Sequence, residues 1–289
     1  MAKVMVRNLR CPRCFASLVE AESKLLCAGP SPHEYDIKFG IPVFTDDADF
    51  EEHWSAHGVD SIPPTKIERA EEFLEPVLAG AWDGINVLDV GCGNGVHAAV
   101  VSSNRDLDIA YHGIDLSAAA LLAIQQRDRD AALVRADALN LPIQDETFDV
   151  AFSYGVLGYT GSPERGVREL ARVLKPGGLM GIWLAPIQRG LSGLILSTVR
   201  MICKHGGSFV THAMANTIVP FLPVLSTNSG MNLSNASWKQ CREVVLVNIQ
   251  PENLIYPSRD DVLSWLEAAG MRIETEDHEY PITFWARKL

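Results

Sequence analysis

Positive charge is scarce in this sequence. Lys and Arg number 25 against 36 Asp and Glu, a formal net charge of −11. Tight general binding of a polynucleotide is driven by many Lys and Arg side chains displacing counterions from phosphates, so this balance argues against it. Also missing is the apolar core of a secretory signal between Met1 and Arg10, and the early part of the chain has no charge-free apolar run of bilayer-spanning length. The expectation is a cytoplasmic protein. Internal repeats and low-complexity tracts are absent. Only six cysteines occur. In a reducing compartment their spacing reads as metal ligation or packing rather than as disulfides. What remains, 289 residues with 47% hydrophobic and 21% charged side chains, is an ordinary globular composition. It is enough chain for one large domain and a smaller attachment.

Three regions follow from the pattern along the chain. Residues 1–45 are punctuated by Gly and Pro between short apolar stretches and predict a small ribbon of hairpins, too small to build a core unaided. Residues 46–84 are an acidic connector, with eleven Asp and Glu against Lys66 and Arg69. Within it, Ile67, Ala70, Phe73, Leu74 and Leu78 approximate a helical stripe that can lie on a neighbouring domain. From residue 85 onward, apolar strands alternate with helices: strands at 86–90, 110–114, 132–135, 149–154 and 179–185, helices at 96–103, 117–129 and 163–174. This rhythm predicts a doubly wound α/β domain with a mostly parallel sheet, whose ligands sit at the carboxyl ends of the strands. It is interrupted at 186–257 by an insertion and resumes with a helix at 259–269 and strands at 271–276 and 282–287. From Gly206 to Trp238 the insertion contains no Asp, Glu, Lys or Arg. Pro220, Pro223 and the Gly206-Gly207 pair nevertheless oppose a membrane-spanning helix.

Directly after the first strand of this domain comes Asp89-Val90-Gly91-Cys92-Gly93-Asn94-Gly95. Its three glycines let the chain turn sharply and a ligand approach the backbone. The dinucleotide fingerprint would need a glycine where Val96 stands. Asp89, just before the turn, would repel a pyrophosphate but tolerate a cationic ligand. Asp115 ends the second strand in Gly113-Ile114-Asp115-Leu116-Ser117, where a carboxylate can accept hydrogen bonds from both hydroxyls of a ribose. Asp137 ends the third strand in Ala136-Asp137-Ala138, within reach of an adenine amino group.

Taken with Phe148-Asp149-Val150-Ala151-Phe152-Ser153-Tyr154 and Leu174-Lys175-Pro176-Gly177-Gly178, this constellation resembles the class I S-adenosylmethionine-dependent methyltransferases. The resemblance implies a seven-stranded Rossmann-like sheet. It implies that Gly91, Gly93 and Gly95 line the methionine part of S-adenosylmethionine, that Asp115 holds ribose, and that Asp137 and Ala138 meet adenine. Asp89, Cys92, Leu116 and Ser153 complete the expected cofactor-binding set, with Cys92 as a small packing residue. Tyr154 and Tyr159 follow the fourth strand, where this family presents residues to the methyl group and its acceptor. The Asn-Pro-Pro-Tyr type of motif, which positions amide or adenine nitrogens, is absent at 153–156.

His53, His57, His97, His205 and His212 are candidate proton acceptors. His212 stands out as the only titratable side chain in the uncharged part of the insertion. The apolar insertion itself is expected to form a mobile lid over an acceptor pocket with Tyr154 and Tyr159 on its floor. That favours a small organic acceptor, as in the synthesis of a natural product or modified metabolite. The alternatives are methylation of a ribosomal RNA base guided by the ribbon, and a cofactor-binding protein that transfers nothing.

In the ribbon, Cys11-Pro12-Arg13-Cys14, then Cys27 and His33, give a Cys-x2-Cys pair and a Cys-x5-His pair separated by a hairpin-sized gap. Thiolates and imidazole suit a closed tetrahedral zinc site, which would supply the folding energy so small a module lacks. The segment with its trailing Tyr35 to Phe44 resembles the Trm112-like zinc ribbon found ahead of some bacterial methyltransferases. It is also similar to the zinc-binding N-terminus of guanine N1 methyltransferases acting on large-subunit ribosomal RNA. Pro30 stands at the usual fourth-ligand position, so His33 takes that role.

Overall fold

The computed structural model describes residues 8–45, 62, 64–80, 82, 84–104, 106–184, 190–221, 238–249, 254–277 and 282–289. His53, His57, most of the acidic segment before residue 64 and residues 222–237 of the insertion lie outside these. Two compact units are present, one formed by Met1–Pro186 with Ile255–Leu289 and the other by Ile187–Leu254.

The first unit opens with a four-stranded antiparallel meander: β1 (Leu18–Ala21), β2 (Lys24–Cys27), β3 (Glu34–Lys38) and β4 (Ile41–Pro42). α1 (Pro64–Leu78) follows, then the alternating elements of the large sheet. These are β5 (Ile85–Val90), α2 (Val96–Ser103), β6 (Ile109–Asp115), α3 (Ala118–Arg127), β7 (Ala132–Arg135) and β8 (Phe148–Tyr154). A 3-10 turn at Leu157–Tyr159, α4 (Pro163–Val173) and β9 (Leu174–Leu184) complete the run before the insertion. α7 (Arg259–Ala268), β10 (Met271–Asp277) and β11 (Ile282–Lys288) follow it, the insertion itself holding α5 (Gly190–Ile218) and α6 (Trp238–Ile249).

The seven strands are ordered β10-β11-β9-β8-β5-β6-β7. β5 pairs in parallel with both β6 and β8, while β11 is antiparallel to its neighbours β9 and β10. This is the mostly parallel sheet that the strand rhythm predicted, with the seven strands that the resemblance implied. Strand order reverses between β5 and β8, which opens a crevice at their carboxyl ends. Each face is buried under helices, as the near-continuous apolar strands require. On one face Ala70, Phe73, Leu74 and Val77 of α1 pack with Val87, Phe152 and Trp285. On the other, Val167, Leu170 and Val173 of α4 pack with Ala151, Met180 and Phe284. A fully buried side chain of this size contributes about 2 kcal/mol, so these faces hold the sheet rather than decorate it.

β9 begins five residues before the expected strand at 179–185. Lys-Pro-Gly-Gly reads as a turn in sequence, but here it is a bulge: β8 pairs Phe148 with Leu174, then Val150 with Leu179. A Cβ on Gly178 would lie 2.9 Å from the Lys175 carbonyl oxygen, and Lys175 Nζ reaches Asp149 at 2.7 Å, so the chain doubles back tightly without leaving the sheet. α3 starts one residue later than expected because Ser117 is its N-cap, its Oγ accepting the Ala120 N–H at 3.2 Å.

The meander lies along β7, the open edge of the large sheet. Val43 bridges Arg135 and Leu9 bridges Ile143. Leu9, Cys11, Leu25 and Tyr35 are buried in the same cluster as Val134, Leu141 and Ile143. The small module thus borrows the core it cannot build, and an exposed strand edge is covered.

The second unit, taken by itself, packs α5 and the 3-10 turn after it (Val219–Phe221) against α6 through Cys203, Ala215, Val219, Cys241, Val245, Leu246 and Ile249. α5 is broken at Gly207, whose φ of 69° and ψ of −171° are non-helical, in line with the Gly-Gly signal. Among the described residues no helix is long and apolar enough to cross a membrane.

Candidate active site and metal site

β5 delivers the chain to the crevice, and its end cannot continue without glycine. Gly91, Gly93 and Gly95 all have left-handed φ values of 81°, 51° and 79°. A Cβ at Gly91 would lie 2.3 Å from Val156, which follows β8, and one at Gly95 would lie 2.6 Å from Ile124 of α3. The turn is therefore clamped from both sides, its Gly91 and Cys92 N–H groups held by the Ile114 carbonyl and its Gly93 N–H by Asp115, and the absent Cβ atoms leave its backbone approachable. Gly91→Ala combines a left-handed alanine with this overpacking and is expected to cost roughly 2 to 5 kcal/mol of unfolding free energy in urea titration. An unaltered midpoint would mean that Val156 swings away and that the glycine is dispensable.

Asp115 closes the turn from β6. Its Oδ2 accepts the Gly93 N–H at 2.8 Å and its Oδ1 accepts the Ser117 N–H at 2.9 Å, so each oxygen keeps a lone pair for a ligand. Burial pushes its carboxyl up to about 6, against the N–H donors of Ser117, Gly93 and Leu116, which favour the charged form. Asp89 is fully buried. The Tyr111 hydroxyl donates to its Oδ2 at 2.8 Å, and His97 Nδ1 lies 3.3 Å from the same oxygen. Oδ1 of Asp89 and Nε2 of His97 are buried with no hydrogen-bond partner, a costly arrangement that a bound ligand or water would relieve. An orphaned carboxylate oxygen beside a glycine cradle and a diol-ready Asp115 fits a ligand with a cationic end and a ribose. It does not fit a pyrophosphate.

Asp137 is exposed after β7, its Oδ1 accepting the Leu139 N–H at 2.8 Å. Ala138 beside it is 8% exposed. The Leu116 carbonyl is fixed by Arg135 Nε at 2.7 Å. Ser153 is turned inward: it is buried and its Oγ donates to the Val90 carbonyl at 2.9 Å, stapling β8 to β5. Cys92 is buried too, and burial pushes its thiol well up, as suits a packing residue. Tyr154 is half-buried and stacked on Trp183 at 4.5 Å, with Phe73 edge-on at 5.0 Å and His97 at 5.1 Å. Tyr159 is half-buried in the 3-10 turn. His212 lies on α5 in the second unit, where Arg242 Nη2 meets its Nδ1 at 3.0 Å.

Of the described histidines, His97 is the one next to the cradle. The sequence placed it among five candidates and favoured His212. Tyr111, Trp183 and Arg135 carried no signal beyond their places in apolar strands.

In the ribbon, the ligand atoms of Cys11, Cys14, Cys27 and His33 all lie within 4.8 Å of one another. Cys11 Sγ is 3.3 Å from His33 Nδ1, and Cys14 Sγ is 3.2 Å from Cys27 Sγ. Gly29 donates its N–H to Cys27 Sγ, and a Cβ there would lie 2.9 Å from Cys14 Sγ, so the backbone is drawn around the sulfurs. Burial works to raise the Cys11 thiol, but the Tyr35 hydroxyl and the N–H groups of Arg13 and Cys14 bring it down to about 6. A thiolate-rich tetrad with hydrogen-bonded sulfurs fits a structural divalent metal.

Residues 88–182 match the model of the methyltransferase domain family. This region is a class I S-adenosylmethionine-dependent methyltransferase domain. Among curated relatives, the demethylmenaquinone methyltransferase of Corynebacterium kroppenstedtii is 41% identical over 34% of this chain and 41% of its own length. Probable tRNA methyltransferase 9B of Mus musculus is 34% identical over 40% of this chain and 24% of its own. The matched stretch thus spans less than half of each relative. A chain from the solved complex of the Haloferax volcanii Trm112 methyltransferase activator shares the fold, with a TM-score of 0.51 at 16% identity over 84% of this chain and 98% of that one.

Proposed function

We propose that this protein transfers a methyl group from S-adenosylmethionine to a small organic acceptor. The observation that carries the reading is the cradle: left-handed Gly91, Gly93 and Gly95 closed by the Asp115 carboxylate, with Asp89 Oδ1 left unpaired behind them. Gly91, Gly93 and Gly95 line the methionine end, Asp89 offers its charge to the cationic part, Asp115 and Leu116 hold the ribose, and Asp137 with Ala138 meets adenine. Ser153 and Cys92 serve by packing under the turn. Bound S-adenosylmethionine supplies a methyl group on a sulfonium, so the protein contributes mainly alignment and a dry site. Tyr154, stacked on Trp183, gives an aromatic wall at the end of β8 against which a flat or apolar acceptor can lie. Tyr159, in the 3-10 turn after β8, is read as a second residue presented to the acceptor. Within the insertion, residues 186–257, His205 and His212 are the candidate proton acceptors, of which His212 is favoured.

A structural zinc held by Cys11, Cys14, Cys27 and His33 completes the scheme, with 1–45 as zinc ribbon, 46–84 as connector and 85–289 as the catalytic domain. The net charge of −11 and the aromatic wall favour a small acceptor. The relative named for tRNA methylation and the ribbon support a second reading, an RNA base as acceptor. Incubation with methyl-labelled cofactor and a fractionated cell extract separates them. Label in a low-molecular-weight fraction is expected. Label in RNA, with retention of RNA on filters at low salt, would replace the first reading by the second. Cofactor binding without transfer to any fraction would leave a binding protein.

A further inference from the structure

The ribbon does more than cover a sheet edge. The turn at 137–140 holds Asp137, and Asn140 closes it by donating its backbone N–H to the Asp137 carbonyl at 3.1 Å. The same residue sends its side-chain Nδ2 to the carbonyl of Pro12 at 3.3 Å. Pro12 lies between Cys11 and Cys14, inside the first ligand pair. One residue therefore ties the metal knuckle to the turn assigned to adenine. A parallel link runs through β7: Phe44 donates its N–H to the Arg135 carbonyl at 2.9 Å, and Arg135 Nε holds the Leu116 carbonyl at 2.7 Å. Leu116 adjoins Asp115. Backbone pairing alone would protect the edge strand. Side-chain bonds onto the two loops that follow β6 and β7 serve instead to fix ligand-binding backbone in place.

We propose that the metal-bearing ribbon is a brace for the adenine side of the cofactor site, with Asn140 as its positioning residue, so that cofactor affinity and recognition of the adenine amino group depend on the Cys11–Cys14 knuckle. The inference rests on the cofactor reading above and deepens it. Rigidity is what it provides: a turn held at both ends keeps the Asp137 acceptors aimed, and a turn held at one end loses that orientation before it loses its fold.

The test uses the full chain as purified, with its metal, and calorimetric titration of S-adenosylhomocysteine and of S-inosylhomocysteine, whose purine lacks the amino group. Asn140→Ala is expected to weaken S-adenosylhomocysteine by about fivefold, as befits one lost hydrogen bond, and S-inosylhomocysteine by less than about twofold. Preference for the amino-bearing ligand thus falls. Stripping the metal with a chelator should reduce the same preference at least as far. A merely structural role would weaken both ligands equally, so an unchanged preference in Asn140→Ala overturns the brace, whatever happens to the absolute affinities. Thermal unfolding of the variant shows that the chain remains folded during titration. If the unaltered protein fails to bind S-adenosylhomocysteine at all, the cofactor reading falls and the brace with it. If it binds and the preference stands, only the brace is lost.

Discussion

Asp115→Ala is expected to weaken S-adenosylhomocysteine binding by roughly ten- to a hundredfold, the equivalent of about 1.5 to 3 kcal/mol for hydrogen bonds to a charged acceptor. The size follows from how the carboxylate is held. Its two oxygens are already oriented by Gly93 and Ser117, so no ordering cost is incurred when a diol arrives. The ionised form is the better acceptor, and burial has pushed the group up to about 6. Affinity is therefore expected to be full at pH 7.5 and to decline as pH falls through about 6, a dependence that Asp115→Ala abolishes.

Stability of the free protein runs the other way. Because the folded carboxyl is raised above its ordinary value of 3.8 to about 6, the folded state holds its proton more tightly than the unfolded one. That contribution is fully present below about 4 and is lost as pH rises through about 6. The same ionisation thus favours binding and opposes folding, as expected of a group placed for a ligand rather than for the core. Calorimetric titration of both proteins at pH 5.5 and 7.5 is the check. A flat pH profile in the unaltered protein would mean that Asp115 does not face the ligand.

Most of the sheet was legible in the sequence because parallel strands buried on both faces read as short apolar runs, punctuated by glycine and turn residues. Val96–Ser103 and Ala132–Arg135 were bounded to the residue for that reason. Misreadings fell where one local signal has two outcomes. Lys175 to Gly178 has the composition of a turn, and only pairing with β8 turns it into a bulge.

The cradle was legible because a left-handed turn demands glycine and because acidic strand ends are rare in apolar strands. Less legible was what those acidic groups touch. The bond from Tyr111 to Asp89 joins residues 22 apart across β5 and β6, and Asn140 reaches Pro12 from 128 residues away. Nothing in the local spacing of either residue encodes its partner. The clustering of Cys11, Cys14, Cys27 and His33 was readable, since thiol and imidazole groups at such spacings leave a signature that needs no tertiary information.

Cys14→Ser is expected to have the largest effect on the ribbon. The substitution is nearly isosteric, so packing is preserved and the change isolates ligation. Four candidate ligands within 4.8 Å of one another would leave no open position on a tetrahedral ion, so the proposed metal is a structural one. Such sites bind with apparent free energies of about 10 kcal/mol or more in small modules, and that energy is folding energy. The ribbon has little else. Its own strands are four, four, five and two residues long, and its buried side chains Leu9, Leu25 and Tyr35 pack largely on borrowed core. Protein purified without added metal should contain one zinc per chain, and Cys14→Ser much less. Hydrogen exchange should then rise by at least about a hundredfold across residues 18–44, roughly 3 kcal/mol of lost protection, while β5 and β8 remain protected by the central core. Acidification should release the metal, because thiolates and imidazole must be deprotonated to ligate. The rival account is that Cys11, Cys14 and Cys27 are ordinary packed thiols and that the pairing along β7 suffices to fold the meander. A metal-free chain with a slowly exchanging ribbon would establish that account, and it would make the bonds from Leu9, Val43 and Phe44 to the sheet edge, rather than the tetrad, the reason this small module is ordered.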